Sequence, residues 1–345
     1  MADTIGMAAQ AAGQVVRFGF YMGLNRLVDW RTSALGRAPT EKPRGPIPSQ
    51  GELLRDLMSV LMQDAAAVRD GLYPPMSDEP SLPLQLTRIR EMLADLPSAL
   101  ARRNARDAST AERSSPDGDL PEYFVQDFHF QTGGYLTDES AKLYDLQVET
   151  LFYGAAGAMR RQALRPIAAF MRGRDQRQVR LLDVACGTGR FLRAVRLAYP
   201  AMKLSGLDLS RPYLDEARRH LKGLRPTDWI TANAESIPLA DASQEIVTTV
   251  FLFHELPPEV RRRVAREMSR VLKPGGLLVF IDSLQMGDRP GWDGLLEAFP
   301  SRFHEPFYRH YAIDNLDEVF CEAGLEAVEQ STAFLSKMMV RRKVS

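Results

Sequence analysis

The feature that most constrains this chain is the alternation of strand-like and helix-like runs across residues 179–345. VRLLDVA, KLSGLDL, DWITAN, EIVTTVFLF and LLVFID are short, apolar runs that read as strands. TGRFLRAVRLAY, RPYLDEARRHLKGL and PEVRRRVAREMSRVL lie between them with apolar residues at helical spacing. Strand, helix and strand in succession pair in parallel through right-handed crossovers, which puts helices on both faces of one sheet. DNLDEVFCEAGL adds a helix stopped at Gly324, and LEAVEQST and LSKMMVRRK then read as two strands joined by a short turn. The expected fold is α/β, a doubly wound and mostly parallel sheet over 173–345 with an antiparallel terminal strand.

Residues 1–103 read as a preceding N-terminal helical region. Ile5, Ala8, Ala12, Val15, Val16 and Phe20 recur at helical spacing over 4–30, with Gln10, Gln14 and Arg17 as an opposing polar stripe. That pattern fits a helix packed on its own protein or on a partner subunit. Tyr21 and Trp30 also suit a headgroup boundary, so peripheral contact with the inner face of a membrane is the second reading. Past a loop with Pro39, Pro43, Pro46 and Pro48, Leu53, Leu54, Leu57, Leu61 and Ala65 line one helix face, and Ile89, Met92, Leu93, Leu96 and Leu100 line another. Residues 104–119 lack hydrophobic periodicity and read as a linker. Residues 120–172 read as a further, largely helical segment. It opens with Phe124, Phe128, Phe130 and Tyr135 around Gly133-Gly134, continues as a helix from Thr137 or Asp138 to Gly154, and ends in a helix over 156–172 bent at Pro166.

Composition removes several classes. The 44 Lys and Arg balance 44 Asp and Glu, so no nucleic-acid partner is expected. Two cysteines form no disulfide framework, and no run is apolar and uncharged for long enough to span a bilayer. Asp3 and Arg17 argue against a secretory signal, and a cytoplasmic protein is expected.

The strongest local signal is Leu182-Asp183-Val184-Ala185-Cys186-Gly187-Thr188-Gly189-Arg190-Phe191. An apolar strand runs into a glycine turn that opens a helix, and Gly187 and Gly189 let the main chain approach a ligand closely. Asp208 follows at the end of the second strand, where its carboxylate can accept from both ribose hydroxyls of an adenosine-type cofactor. A nicotinamide dinucleotide and S-adenosylmethionine both fit such a loop. The third glycine of the dinucleotide fingerprint would fall at position 192, which is Leu192.

LLDVACGTGRFL, GLDLS, TANAESIPLAD and VLKPGGLLVFID, in that order and spacing, resemble the class I S-adenosylmethionine-dependent methyltransferases, nearest the group of ubiquinone and menaquinone C-methyltransferases. The likeness covers about residues 175–345. It implies a Rossmann-like domain that binds S-adenosyl-L-methionine. On that likeness Asp183 orients the loop and reaches toward the methionine amino group. Ala185, Gly187 and Gly189 pass under the methionine and ribose, with Ala185 where many relatives have a further glycine. Asp208 binds the ribose and Leu209 packs on the adenine. Asn233 and Ala234 stand where the family has Asp-Ala beside the adenine edge, and Asn can both accept and donate there. Phe251 lies next to the sulfonium.

Acceptor groups should gather beyond the fourth and fifth strands. His254 is the candidate general base, its other reading being an imidazole that orders the following helix with Pro257 and Pro258. Glu255 reads as a capping or loop-orienting residue. The segment 123–135, with His129 and Gln131, stands where the N-terminal helices of related enzymes form a lid over the cofactor, so the resemblance implies that 120–172 is a helical lid segment. The aromatic stretch over 284–311, holding Trp292, Phe299, Phe303, His304, Phe307, Tyr308, His310 and Tyr311, favours a small apolar or aromatic acceptor, of quinone- or lipid-like type. His304 and His310 lack a Cys or acidic ligand at usual spacing, so no metal is expected. A protein or polar-metabolite methyltransferase and a non-catalytic cofactor-binding assembly factor remain as alternatives.

Overall fold

The structure, a computed structural model, describes residues 3–37, 42–76, 80–108 and 120–344. Three helices come first: α1 Thr4–Ala34, α2 Gln50–Arg69 and α3 Leu82–Ala105. Of the linker expected over 104–119, residues 109–119 lie outside the described residues. Then follow α4 Asp138–Leu151, α5 Ala156–Arg161 and α6 Leu164–Met171. The alternating half comprises β1 Arg180–Val184, α7 Arg190–Ala198, β2 Lys203–Asp208, α8 Arg211–His220, β3 Asp228–Thr231, β4 Gln244–Val250, α9 Pro258–Val271 and β5 Leu272–Ser283. It ends with α10 Asp293–Arg302, α11 Tyr308–Tyr311, α12 Leu316–Glu322, β6 Leu325–Ala333 and β7 Ser336–Lys343.

The seven strands form one sheet in the order β3-β2-β1-β4-β5-β7-β6. Five pair in parallel, while β7 runs antiparallel to both β5 and β6, so the chain's last strand inserts between them and β6 becomes the edge. The topology is the Rossmann-like arrangement expected. One core layer packs Leu181, Leu204, Ile246, Val279 and Val340 against Phe191, Leu192, Leu164 and Ile167. The other packs Leu182, Leu207, Val247 and Phe280 against Val260, Val264, Met268 and Phe320. Burying each such side chain stabilises the fold by about 1.5–3 kcal/mol. Order reverses between β1 and β4, so the carboxyl ends of these two strands open a crevice there.

Three local expectations change. β4 stops at Val250, because Phe251 adopts a left-handed backbone (φ 59) and residues 253–255 form a short 3-10 turn. The helix expected to bend at Pro166 is instead two helices broken at Gln162-Ala163. Pro166 sits in the first turn of α6, where a missing N–H costs no helical bond.

The third change concerns α1, whose faces are inverted. Gln10 and Gln14 are buried, whereas Ile5, Val15 and Val16 are 84%, 59% and 73% exposed. The cause is the fully buried Asp64 of α2. Its carboxylate accepts from Gln10 Nε2 (2.7 Å), Gln14 Nε2, Tyr73 Oη (2.7 Å) and Arg161 Nε (2.7 Å). A buried carboxylate needs this full set of partners. The glutamines meet that need, and α1 turns its polar stripe inward to supply them. Among the described residues no helix is long and apolar enough to cross a membrane.

Candidate active site

The site grows from the carboxyl ends of β1, β2, β3 and β4. After β1 the chain turns through Ala185, Gly187 and Gly189, all with positive φ (55°, 53° and 73°), before entering α7. Positive φ is strained for alanine by about 1–2 kcal/mol and nearly free for glycine. A Cβ on Gly187 would meet nothing within 4 Å, so the loop's main chain faces open space there. A Cβ on Gly189 would stand 2.9 Å from Ala217 Cβ, so that glycine lets the loop lie on α8.

Asp208 closes β2 and is joined to this loop. Its Oδ2 accepts the Gly187 N–H at 2.7 Å and its Oδ1 accepts the Ser210 N–H at 2.8 Å. Burial pushes its pKa up to about 6, against the pull of those backbone donors. With the Leu209 N–H as a third backbone donor, the carboxylate still has acceptor capacity left for a ligand hydroxyl. Asp183 is 2% exposed and accepts the Thr248 hydroxyl at 2.6 Å, which anchors β1 to β4 beneath the loop. Burial raises its pKa to about 7.

Leu209 is half-buried beside Asp208. Asn233 and Ala234 follow β3, and the preceding Ala232 N–H donates to the Asp208 carbonyl at 3.1 Å. The Asn233 side chain is engaged by its neighbours: Oδ1 accepts the Glu235 N–H (2.9 Å) and Nδ2 donates to Glu235 Oε1 (3.1 Å). Phe251 stacks on Phe152 at 5.9 Å and meets the His254 ring edge-on at 6.3 Å.

His254 is held by a partner that sequence reasoning did not single out. Its Nδ1 lies 2.5 Å from Oδ1 of Asp282, a fully buried residue of β5. The other Asp282 oxygen accepts the Phe253 N–H at 2.7 Å and so fixes the turn that carries the histidine. Burial alone would depress the imidazole pKa. The Asp282 charge and hydrogen bond more than reverse this, with help from Glu255 and Glu305, and raise it to about 9. Tyr308 and Tyr311 enclose the ring at 6.1 Å each. No side chain caps α9, so neither His254 nor Glu255 orders that helix by capping.

The segment before α4 is tied to residues that follow β2, β3 and β4, as a cover over the site would be. Tyr123 Oη donates to Glu235 Oε1 (2.6 Å), Ser210 Oγ donates to the Tyr135 carbonyl (2.6 Å), and Tyr135 Oη donates to Glu255 Oε1 (2.7 Å). Phe128 stacks on Tyr135 at 5.1 Å. Of the aromatic stretch, Trp292 shares a buried cluster with Leu57 and Leu61 of α2 and with Tyr308, while Phe303 stands edge-on to His129 at 6.1 Å. His304 Nε2 donates to Gln126 Oε1 at 2.8 Å and His310 lies 3.0 Å from Arg261, so these two histidines do not meet at a common site.

A family model described as a methyltransferase domain matches residues 181–276, which hold the loop, Asp208, Asn233, Phe251 and His254. A demethylmenaquinone methyltransferase of Listeria monocytogenes is 32% identical over 176 residues, covering 45% of this chain and 73% of that protein. The chain belongs to the class I S-adenosylmethionine-dependent methyltransferases. A demethylmenaquinone methyltransferase of Thermotoga maritima is also 32% identical, over 149 residues, and there the match covers 43% of this chain and only 60% of the relative. The crystal structure of a S-adenosylmethionine-dependent methyltransferase from Aquifex aeolicus superposes with a TM-score of 0.40 at 18% identity, over 53% of this chain and 89% of that one. The residues present fit the cofactor of this family. The loop is open above Gly187, and the buried carboxylate of Asp208, held by backbone donors, stands against it.

Proposed function

We propose that the chain transfers a methyl group from S-adenosyl-L-methionine to a small hydrophobic or aromatic acceptor of quinone- or lipid-like type. The observation that carries the reading is the glycine loop bonded to Asp208, with His254 and Asp282 at the neighbouring strand ends. The quinone class is supported by the names of partial relatives that methylate demethylmenaquinone. When bound, the cofactor supplies an electrophilic methyl on a sulfonium, open to in-line displacement.

The chain's own residues then divide the work. Asp208 accepts the ribose hydroxyls, Leu209 and Ala234 pack on the adenine, and Asn233 addresses its edge once Tyr123 and Glu235 yield. Ala185, Gly187 and Gly189 give main-chain room beneath the methionine. Asp183 holds the loop in place, and Phe251 with Phe152 walls the methyl from water. His254 takes the acceptor's proton at Nε2 while Asp282 holds Nδ1–H, which fixes the tautomer. Residues 120–172 serve as a lid, a reading supported by the three hydrogen bonds that tie the segment 123–135 to Ser210, Glu235 and Glu255 after β2, β3 and β4.

The exposed apolar face of α1, with Ile5, Val16 and Trp30 outward and Arg26 and Arg31 nearby, supports peripheral contact with an anionic membrane surface where such acceptors reside. The test incubates the protein with methyl-labelled cofactor and separate quinone and polar lipid extracts. Label in one apolar product, lost in His254→Asn, is expected. Label only in protein or in polar metabolites would overturn the acceptor class, and no label anywhere from protein that binds the cofactor would leave the assembly-factor reading in its place.

A further inference from the structure

Three segments distant in sequence meet beside His254. His129 of the cover, Glu255 after β4 and Glu305 between α10 and α11 bring one ligand atom each to within 4.8 Å of one another. His129 Nε2 stands 3.5 Å from Glu255 Oε1 and 2.5 Å from Glu305 Oε1. Both carboxylates are buried, Glu305 at 4% and Glu255 at 8% exposure. A buried carboxylate ordinarily satisfies its lone pairs, because leaving them bare costs about 1–3 kcal/mol or more. Among the described residues, Glu305 Oε2 and Glu255 Oε2 have no hydrogen-bond partner. Two carboxylates side by side in the interior, with bare oxygens, ask for a cation of more than a single charge.

We propose that His129, Glu255 and Glu305 form a binding site for one divalent transition-metal ion of the Zn2+ or Mn2+ kind. An imidazole nitrogen among the donors favours such ions over Ca2+ and Mg2+, which prefer oxygen alone. Three protein ligands at about 2.0–2.2 Å leave at least one coordination position open, the pattern of reactive rather than structural sites. The surroundings suit the ligands: Tyr135 Oη donates to Glu255 Oε1 at 2.7 Å, and His254 Nε2 lies 3.6 Å from the same oxygen. The His129 side chain is 25% exposed, which gives the ion a way in. The open position would be available to an oxygen of the methyl acceptor; that use rests on the methyltransferase reading, whereas binding of the ion does not.

The test strips the full-length chain with a chelator and titrates it by calorimetry with Zn2+, Mn2+ and Mg2+, without cofactor. One Zn2+ or Mn2+ per chain is expected, with a rise in melting temperature and Mg2+ weaker by at least about 10-fold. Glu305→Gln should keep the circular dichroism of the parent and weaken binding by at least about 10-fold. His129→Gln, at a partly exposed position, should do the same and guards against misfolding of the first variant. No binding by folded wild-type protein, Mg2+ bound as tightly, or unchanged affinity in both variants would overturn the site. Because the cofactor is left out, failure here and failure of methyl transfer are separate results.

Discussion

Replacing Asp282 by Asn tests how the His254 imidazole is charged and held. The ring is buried, and its pKa stands at about 9 against an ordinary 6.5, with Asp282 the main cause of the rise. A shift of that size corresponds to about 3 kcal/mol of preferential binding of the proton by the folded state. The folded pKa lies above the unfolded one. The stabilisation is therefore fully present below about pH 6.5 and is lost as pH rises through about 9. Asp282→Asn removes the charge, leaves only Glu255 and Glu305 to oppose burial, and so deletes most of this contribution. Urea unfolding should show the variant less stable than wild type by about 3 kcal/mol near pH 6, with the gap narrowing toward pH 10. The His254 ring proton signal, followed by NMR, should titrate below its wild-type midpoint. If His254 acts as base, the wild-type rate rises with pH toward 9 and the variant's rise moves to lower pH. A His254 midpoint unchanged in the variant, or a stability gap equal at both ends of the range, would refute this account of Asp282.

Two further substitutions probe how the site is supported. Asp64→Ala strips the partner from the buried Arg161 and from Gln10, Gln14 and Tyr73, and should cost about 3–5 kcal/mol in urea unfolding. Gly134→Ala would place a Cβ 2.0 Å from the Gln126 carbonyl oxygen at a φ of +51°, so the cover segment must shift. Limited proteolysis should then cut within 120–136 faster than in wild type, with global melting changed far less.

Much of the sheet was legible because its signals are local. Strand period, helix period and turn glycines each sit within a dozen residues, and parallel pairing follows from their alternation. The loop and its acid were equally visible, since Gly187 and Asp208 need only β1 and β2 to be neighbours. What the sequence concealed depends on partners far along the chain. The inward turn of Gln10 and Gln14 is set by Asp64 and Arg161, which no periodicity in α1 announces. Asp282 lies inside the quoted VLKPGGLLVFID, yet its hold on His254 appears only when β5 pairs beside β4. Glu305 carried no local mark: it stands in a loop between short helices and acquires meaning only against His129 and Glu255. The turn that follows β4 was hidden for a related reason, because the Asp282 carboxylate, not local propensity, captures the Phe253 N–H.

The measurement that bears most directly on the central claim is calorimetric titration of wild-type protein and Asp208→Ala with S-adenosylmethionine and S-adenosylhomocysteine. Asp208 is the acid tied to the glycine loop, and removing it deletes the acceptor proposed for both ribose hydroxyls. Saturable binding of both ligands by wild type, weakened at least about 100-fold in a folded Asp208→Ala, is the result expected from loss of a buried charged hydrogen-bonding group. No binding by folded wild-type protein, or equal binding by the variant, would contradict it.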